Sequence, residues 1–296
     1  RGATAPTYRP RPAGGPLVPS DVRFVITLDA DTRLPRDAAI RLVGKMAHPL
    51  NRARYDATER RVVDGYGILQ PRVTPSLPVG REGSLFQRIF SGPCGMDPYA
   101  AAVSDVYQDL FGEGSYTGKG IYDVDAFEAA LADRVPDDTM LSHDLFEGVF
   151  ARAGLASDIE VVEEQPSRHD VSSKRQHRWT RGDWQLLPWI FGTTTAPLAV
   201  PMVGRWKMFD NLRRSLTPIA WAFASVLGWY FLDPLGALVW QIILIFSLFV
   251  APTISLISNI LPRSTDIVQR VHFSTLWSDI RDTNAQVALR IVFIAD

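Results

Sequence analysis

Two long stretches without a charged residue limit how this chain of 296 residues can fold. The first runs from Leu216 to Leu232 and the second from Pro234 to Pro262, with only Asp233 between them. A helix needs about 20 apolar residues to cross a bilayer, so the second stretch is long enough and the first is close to the limit. The pattern predicts a transmembrane helical hairpin over 216–262. The alternative is a pair of helices buried in a water-soluble protein.

Basic residues flank this predicted hairpin on both sides. Since cytoplasmic loops of membrane proteins are rich in Lys and Arg, both flanks are expected to be cytoplasmic. We therefore predict an interfacial basic segment over 201–215, and over 263–296 an interfacial or cytoplasmic segment that leads to a further, truncated membrane span. The flanking residues are Arg205, Lys207, Arg213 and Arg214 before the hairpin, and Arg263 and Arg270 after it.

Composition excludes some classes of function. The net charge of -1 gives no reason to expect a nucleic-acid partner. The single cysteine, Cys94, cannot form an internal disulfide, and no Cys/His cluster suggests zinc. The chain begins at Arg1 and ends in an apolar stretch, so we expect it to be a piece of a longer polypeptide with upstream and downstream domains.

The region before the hairpin alternates between strand-like and helix-like segments. Residues 1–20 are rich in Pro, Gly and Arg and are predicted to form a linker. Residues 21–200 are predicted to form an α/β domain with a largely parallel sheet, because strands and helices alternate along the chain. The strand-like runs are Val22–Leu28, Tyr66–Val73 and Asp158–Glu163; the helix-like runs are Asp37–Ala47, Gly83–Ile89, Tyr99–Leu110, Val124–Ala132, His143–Ala153 and Ser173–Trp189.

The first of these strands ends in two carboxylates. The uncharged run from Phe24 to Leu28 is followed by Asp29 and Asp31. Open α/β sheets bind ligands beyond the carboxyl ends of their strands, and paired carboxylates suit a hard divalent cation. The pair therefore predicts a metal site. The alternative is that these aspartates cap the helix predicted after Pro35.

A glycine-rich segment, 112–120, carries the sequence Gly-Glu-Gly-Ser-Tyr-Thr-Gly-Lys-Gly. It resembles a phosphate-binding loop but does not match the Walker pattern, because Gly120 follows Lys119 where Ser or Thr is required. A loop that lets the backbone approach a ligand is one interpretation. A simple turn before the strand-like segment Ile121–Val124 is the other.

Asp144 is predicted to begin a helix that continues through Phe150. A carboxylate at that position, if it faces a pocket, can act as a general base. The alternative is that it only caps the helix.

The segment 174–184 interleaves four cations with two tryptophans, in the sequence Lys-Arg-Gln-His-Arg-Trp-Thr-Arg-Gly-Asp-Trp. Arginines bind pyrophosphate through forked hydrogen bonds, and tryptophan offers a flat surface to a sugar ring. The alternative is a basic amphipathic helix that lies on anionic lipid.

The order of these features resembles the processive family 2-type glycosyltransferases, which include cellulose, chitin and hyaluronan synthases. Two positions depart from that family: Ser142-His143 stands where it has Thr-Glu, and Arg175 stands at its glutamine position, with Gln176 one place late. With these departures, the strings Phe24–Pro35, Gly112–Phe127 and Lys174–Gln185 are most similar to the glycosyltransferase domain of bacterial cyclic β-1,2-glucan synthases.

The resemblance implies a partial GT-A-like (Rossmann-like) domain that lacks its first, uracil-binding strands and is followed by transmembrane helices. It also implies inverting transfer of glucose from UDP-glucose to a growing β-1,2-glucan, at the cytoplasmic face of the bacterial inner membrane. In that reading Asp29 and Asp31 hold Mg²⁺ or Mn²⁺ and the diphosphate, together with Arg178 and Arg181. Asp144 is the catalytic base.

On the acceptor side, the resemblance implies contacts between the β-glucan and Trp179, Gln176, Tyr116 and Lys119. The expected partners are therefore UDP-glucose, a β-glucan acceptor and the lipid bilayer. Two alternatives stay open: a non-catalytic, membrane-anchored glycan-binding or scaffold module, and a synthase of another β-glycan.

Overall fold

The computed structural model of the protein describes residues 21–76, 83–90, 105–134, 139–140, 144–193, 200–260 and 269–293. The predicted linker 1–20, the first part of the helix predicted over Tyr99–Leu110, and Ser142-His143 lie outside these residues. The strands are β1 (Phe24–Thr27), β2 (Thr32–Arg33), β3 (Arg54–Asp56), β4 (Arg61–Asp64), β5 (Ile68–Pro75), β6 (Gly120–Asp123) and β7 (Ala153–Glu163). The helices are α1 (Ala38–Ala47), α2 (Leu85–Phe90), α3 (Val106–Phe111), α4 (Val124–Leu131), α5 (Asp144–Phe150), α6 (His169–Gln185), α7 (Leu187–Phe191), α8 (Met202–Phe231), α9 (Pro234–Ile260) and α10 (Gln269–Val292).

The central sheet is mixed, so the prediction of a largely parallel sheet was wrong. Its strand order is β1-β6-β5-β7-β2, and a separate hairpin joins β3 to β4. Among the described strands only β5 and β7 pair in parallel, while β6 runs antiparallel to both of its neighbours and β2 runs antiparallel to β7. The twofold alternation of side chains in a strand tells which residues share a face but not which way the strand runs.

Helices cover both faces of the sheet, which confirms the α/β class. Successive strand residues point to opposite faces, and in β5 the core on one side includes Ile68 and the core on the other includes Leu69. Leu42 and Met46 of α1 pack on the Leu69 face. The Ile68 face carries the larger apolar core, formed with α5, α7 and α8 by Phe146, Val149, Phe150, Trp189 and Met208.

Several predicted elements shift their ends. Strand β7 begins at Ala153 rather than Asp158, because its first four residues are buried and pair with residues 68–71 of β5. Its composition of Ala, Gly and Leu gives no strand signal, which is why the prediction started later. Helix α6 begins at His169, one turn before the predicted start at Ser173, and α5 ends at Phe150.

The hairpin predicted over 216–262 is present as helices α8 and α9. Indole N–H groups tie the two helices together: Trp221 donates to the carbonyl oxygen of Leu244 at 2.9 Å, and Trp240 donates to that of Ala224 at 2.8 Å. The basic segment 201–215 is the first half of α8 rather than a separate element. Across the residues that the structure describes, no helix is both long enough and apolar enough to cross a membrane. The helical hairpin is confirmed, and its predicted passage through a bilayer is not.

Candidate functional site

Three carboxylates meet at one edge of the sheet. Asp29, Asp31 and Glu163 each offer an oxygen atom, and these atoms lie within 4.8 Å of one another. The topology explains the convergence, since β1 and β7 point the same way and end at the same edge. Pairing of β2 with β7 then brings Thr32, the neighbour of Asp31, opposite Glu163. We call these three carboxylates the acid cluster.

The capping alternative for the two aspartates is excluded. Helix α1 has Asp37 at its N-cap, and no side chain caps it. Asp29 and Asp31 instead form ion pairs with two cations that come from distant parts of the chain.

Lys119 lies inside the acid cluster. Its Nζ is 2.8 Å from Asp29 Oδ2 and 3.3 Å from Glu163 Oε2, and only 6% of the side chain is exposed. Burial alone lowers the pKa of Lys119, but the charge of Glu163 and the hydrogen bond to Asp29 outweigh it, so the pKa is above its ordinary value. The lysine is therefore charged and neutralises part of the cluster.

Arg175 is the second cation. Its Nη1 is 3.4 Å from Asp31 Oδ2, and its Nη2 donates to Glu163 Oε1. The guanidinium carbon lies 4.7 Å from the centre of the Trp179 ring, one turn along α6, in a cation–π contact. Three carboxylates thus face two cations.

Side chains from several elements hold the glycine-rich loop 112–120. The Asp105 carboxylate accepts from Ser115 N at 2.8 Å, and Gln70 Oε1 accepts from Thr117 N at 2.6 Å. The buried Lys207 of α8 donates to the carbonyl oxygens of Glu113 and Gly114, at 3.1 and 2.7 Å. The segment is therefore more than a simple turn, because these contacts fix the backbone that carries Lys119.

Asp144 lies against the same loop. A Cβ at Gly118 would be 2.9 Å from Asp144 Oδ2, and Gly118 has a φ of +84°. Gly118 and Lys119 are consecutive, so their Cα atoms are about 3.8 Å apart. Asp144 therefore contacts the loop one residue before Lys119. Asp144 is at the start of α5 as predicted, and its contact with Gly118 places it beside the loop that carries Lys119 into the acid cluster.

A second carboxyl group accompanies Asp144. Glu147 follows one turn later on α5, and burial, together with the negative charge of Asp144, raises the pKa of Glu147 to about 7. Tyr116 is buried and its hydroxyl oxygen is 3.0 Å from Thr27 Oγ1, and burial raises the pKa of Tyr116. The predicted contact of Tyr116 with an acceptor stays a prediction.

The remaining predicted residues lie on the exposed side of α6. Gln176, Arg178 and Arg181 are exposed, as is 40% of Trp179. Arg178 follows Arg175 by three residues, which sets their Cβ atoms about 5–6 Å apart on a helix. Arg178 and Trp179 therefore both lie next to Arg175, one turn along the helix. The ligands predicted for Arg178, Trp179, Gln176 and Arg181 stay predictions.

Glu163 and Arg175 are the site residues that sequence reasoning missed as ligands. Glu163 is the last residue of β7 and lies at the edge where α/β sheets bind ligands, which is the signal that could have found it. The sequence analysis gave Arg175 no role of its own, since it counted only as one of the four cations of 174–184 and as a departure from the family's glutamine position.

The donor set of the acid cluster fits a hard divalent cation. Mg²⁺ and similar ions prefer carboxylate oxygens, and three are available here. The hydroxyl oxygen of Thr32, which follows Asp31, is buried and has no hydrogen-bond partner among the described residues. A buried oxygen without a partner thus belongs to the residue that pairs with Glu163 across the sheet.

Comparison with known proteins gives one strong match. No family model matches the chain. The chain is 61% identical over 282 residues to the cyclic beta-(1,2)-glucan synthase NdvB of Rhizobium meliloti (strain 1021). The match covers 95% of this chain and 10% of that protein, so the chain spans about a tenth of its relative's length.

Proposed function

We propose that the chain is a fragment of a cyclic β-1,2-glucan synthase and carries the glucosyltransferase site of such an enzyme. The reaction is transfer of glucose from UDP-glucose to the end of a growing β-1,2-glucan. The observation that carries the proposal is the convergence of the acid cluster, Lys119, Arg175 and Asp144 at one edge of the sheet.

The acid cluster is the proposed site for Mg²⁺ or Mn²⁺. Asp29 and Asp31 would be the main ligands, with Glu163 as a third. Bound there, the ion would neutralise negative charge on the departing diphosphate. Arg178 and Arg181, exposed on the neighbouring helix, would add charge-assisted hydrogen bonds to the same diphosphate.

Asp144 is the proposed general base. It would accept the proton of the acceptor 2-hydroxyl while the new bond from that oxygen to the anomeric carbon forms and the bond to the UDP oxygen breaks. One displacement of this kind inverts the anomeric configuration and needs no covalent intermediate. Holding donor and acceptor at reacting distance would supply much of the remaining rate.

The acceptor glucan would approach along the exposed side of α6. The Trp179 ring offers a surface for stacking on a sugar, and Gln176 offers an amide for its hydroxyls. Both are on the helix that carries Arg175, so the acceptor would lie beside the donor diphosphate.

Association with the bacterial inner membrane is proposed for the α8–α9 hairpin, with the site on the cytoplasmic side. Large apolar side chains at the turn of the hairpin are strongly exposed, among them Tyr230 at 78%, Phe231 at 73% and Leu235 at 71%. Apolar surface of this extent is typical of membrane or protein contacts.

The experiment that tests the function replaces the proposed base in the intact protein. Asp144→Asn should abolish transfer of labelled glucose from UDP-glucose while UDP-glucose still binds, because the amide cannot take the proton. Asp133→Asn is the matched control, since Asp133 is exposed and its φ of +56° suits asparagine. Wild-type turnover in Asp144→Asn would refute the assignment of Asp144 as the base. Absence of metal-dependent UDP binding by the intact wild-type protein would instead favour a non-catalytic glycan-binding module.

A further inference from the structure

We propose that Lys119 and Arg175 are exchange cations: they pair with the acid cluster in the free site and move to the donor diphosphate when a divalent cation binds. The inference rests on the proposed function and deepens it. It gives Lys119 a role at the donor rather than at the acceptor, and it gives Arg175 a role that the family resemblance does not supply.

The first argument is that the ammonium group and a metal ion compete for the same carboxylates. Lys119 Nζ contacts Asp29 at 2.8 Å and Glu163 at 3.3 Å, which are two of the three residues of the acid cluster. Divalent cations bind carboxylate oxygens at about 2.0–2.6 Å, so an ion in the cluster would take the position of the lysine's hydrogen bonds. The ammonium group must then find another acceptor.

The second argument is the charge of the site. A divalent cation among three carboxylates leaves a net charge of -1, which repels a diphosphate. With Lys119 and Arg175 retained, the same site carries a net charge of +1, which attracts it. The two cations therefore favour binding of the donor only if they stay near the site after their ion pairs with the acid cluster break.

The third argument is that both cations are held close to the site by contacts other than their ion pairs. The backbone before Lys119 is fixed by Gln70, which accepts from Thr117 N, and by the approach of Gly118 to Asp144. The Arg175 guanidinium lies over the Trp179 ring at 4.7 Å, a contact that survives a change of hydrogen-bond partner.

The chemistry and the surroundings of Lys119 and Arg175 also suit binding to the donor diphosphate. Arginine binds phosphate oxygens in a fork, and lysine binds them as a point charge. Only 6% of the Lys119 side chain and 20% of the Arg175 side chain are exposed, so their charges are screened by water less than those of the exposed Arg178 and Arg181.

The test measures two affinities in the intact protein, that for Mn²⁺ alone and that for UDP at saturating Mn²⁺. Lys119→Met should bind Mn²⁺ about tenfold more tightly, because a competitor is gone, and UDP about tenfold more weakly, the size expected for one charged hydrogen bond. Arg175→Gln should shift both affinities in the same directions. A purely structural ion pair predicts no loss of UDP affinity at saturating Mn²⁺ in either variant.

The controls separate failure of the inference from failure of the proposed function. Lys45→Met removes a lysine whose ion pair with Asp158 is at the surface, and both affinities should stay at wild-type values. Lys119→Arg keeps the charge and should change Mn²⁺ affinity less than Lys119→Met. Wild-type protein that binds neither Mn²⁺ nor UDP would overturn both proposals. Wild-type binding of both, with Mn²⁺ affinity unchanged or lowered in Lys119→Met and Arg175→Gln, would overturn only the exchange.

Discussion

Gly118 and Asp144 are in direct contact across the candidate site, since a Cβ built on Gly118 would lie 2.9 Å from Asp144 Oδ2. The φ of +84° at Gly118 is a second reason why only glycine fits there. The glycine-rich loop can thus bring Lys119 and the proposed base together only because position 118 lacks a side chain.

Gly118→Ala should therefore impair transfer while the protein still folds. The added methyl group must push either the loop or the Asp144 carboxylate away, and the left-handed backbone costs alanine about 1–2 kcal/mol. We expect glucosyl transfer to fall at least about tenfold, because a misplaced catalytic group loses much of the benefit of orientation. Turnover of labelled UDP-glucose by the intact protein is the measurement.

The matched control for this variant is Gly44→Ala. Gly44 is in the middle of α1, and nothing lies within 4 Å of a Cβ added there. Alanine should leave transfer unchanged and slightly stabilise the helix. Equal losses in both variants would show that the loop geometry is not the cause.

Glu163→Gln should weaken the response to divalent cations. The change removes one of three carboxylates from the acid cluster and leaves the side chain's shape nearly intact. We expect the concentration of Mn²⁺ that gives half-maximal transfer to rise about tenfold, the scale of one lost charged ligand. The neighbouring Glu164→Gln removes a carboxylate that pairs with Arg33 at the surface, and its Mn²⁺ response should match the wild type. An unchanged Mn²⁺ response in Glu163→Gln would remove Glu163 from the metal site.

Glu147 should make heat stability depend on pH. Its pKa is raised on folding from 4.5 to about 7, so the folded state binds this proton more tightly than the unfolded state does. The stabilisation is complete below pH 4.5 and is lost as the pH rises to about 7, with a total of at most about 3 kcal/mol. Asp144, Tyr116 and Tyr122 are the titratable groups that interact with it.

The measurement is the temperature of heat inactivation of the intact protein, compared between about pH 5 and about pH 8. Glu147→Gln, which stays neutral, should show a smaller fall across this range than the wild type. Glu128→Gln, on the exposed side of α4, should keep the wild-type fall. The same fall in all three proteins would mean that another group is responsible.

Much of the site could be predicted because its signals are local. The apolar run before Asp29 identifies a strand end, and the position of Asp144 identifies a helix start; both elements are present. The strand end at Glu163 is a local signal too, but its contact with Asp31 depends on the pairing of β2 with β7, which joins residues about 130 positions apart. Arg175 could not be assigned, because its contacts with Asp31 and Glu163 depend on how α6 packs against that edge. The direction of β6 was equally hidden, since side-chain alternation is the same in either direction.

The most direct test of the central claim is a structure of the intact protein with UDP and Mn²⁺, in which anomalous scattering locates the metal. Our account predicts that oxygens of Asp29 and Asp31 bind Mn²⁺. It also predicts that the diphosphate lies on the side of the ion away from these carboxylates and contacts Lys119 and Arg175. Mn²⁺ and UDP bound together elsewhere, with both cations still paired to the acid cluster, would contradict it.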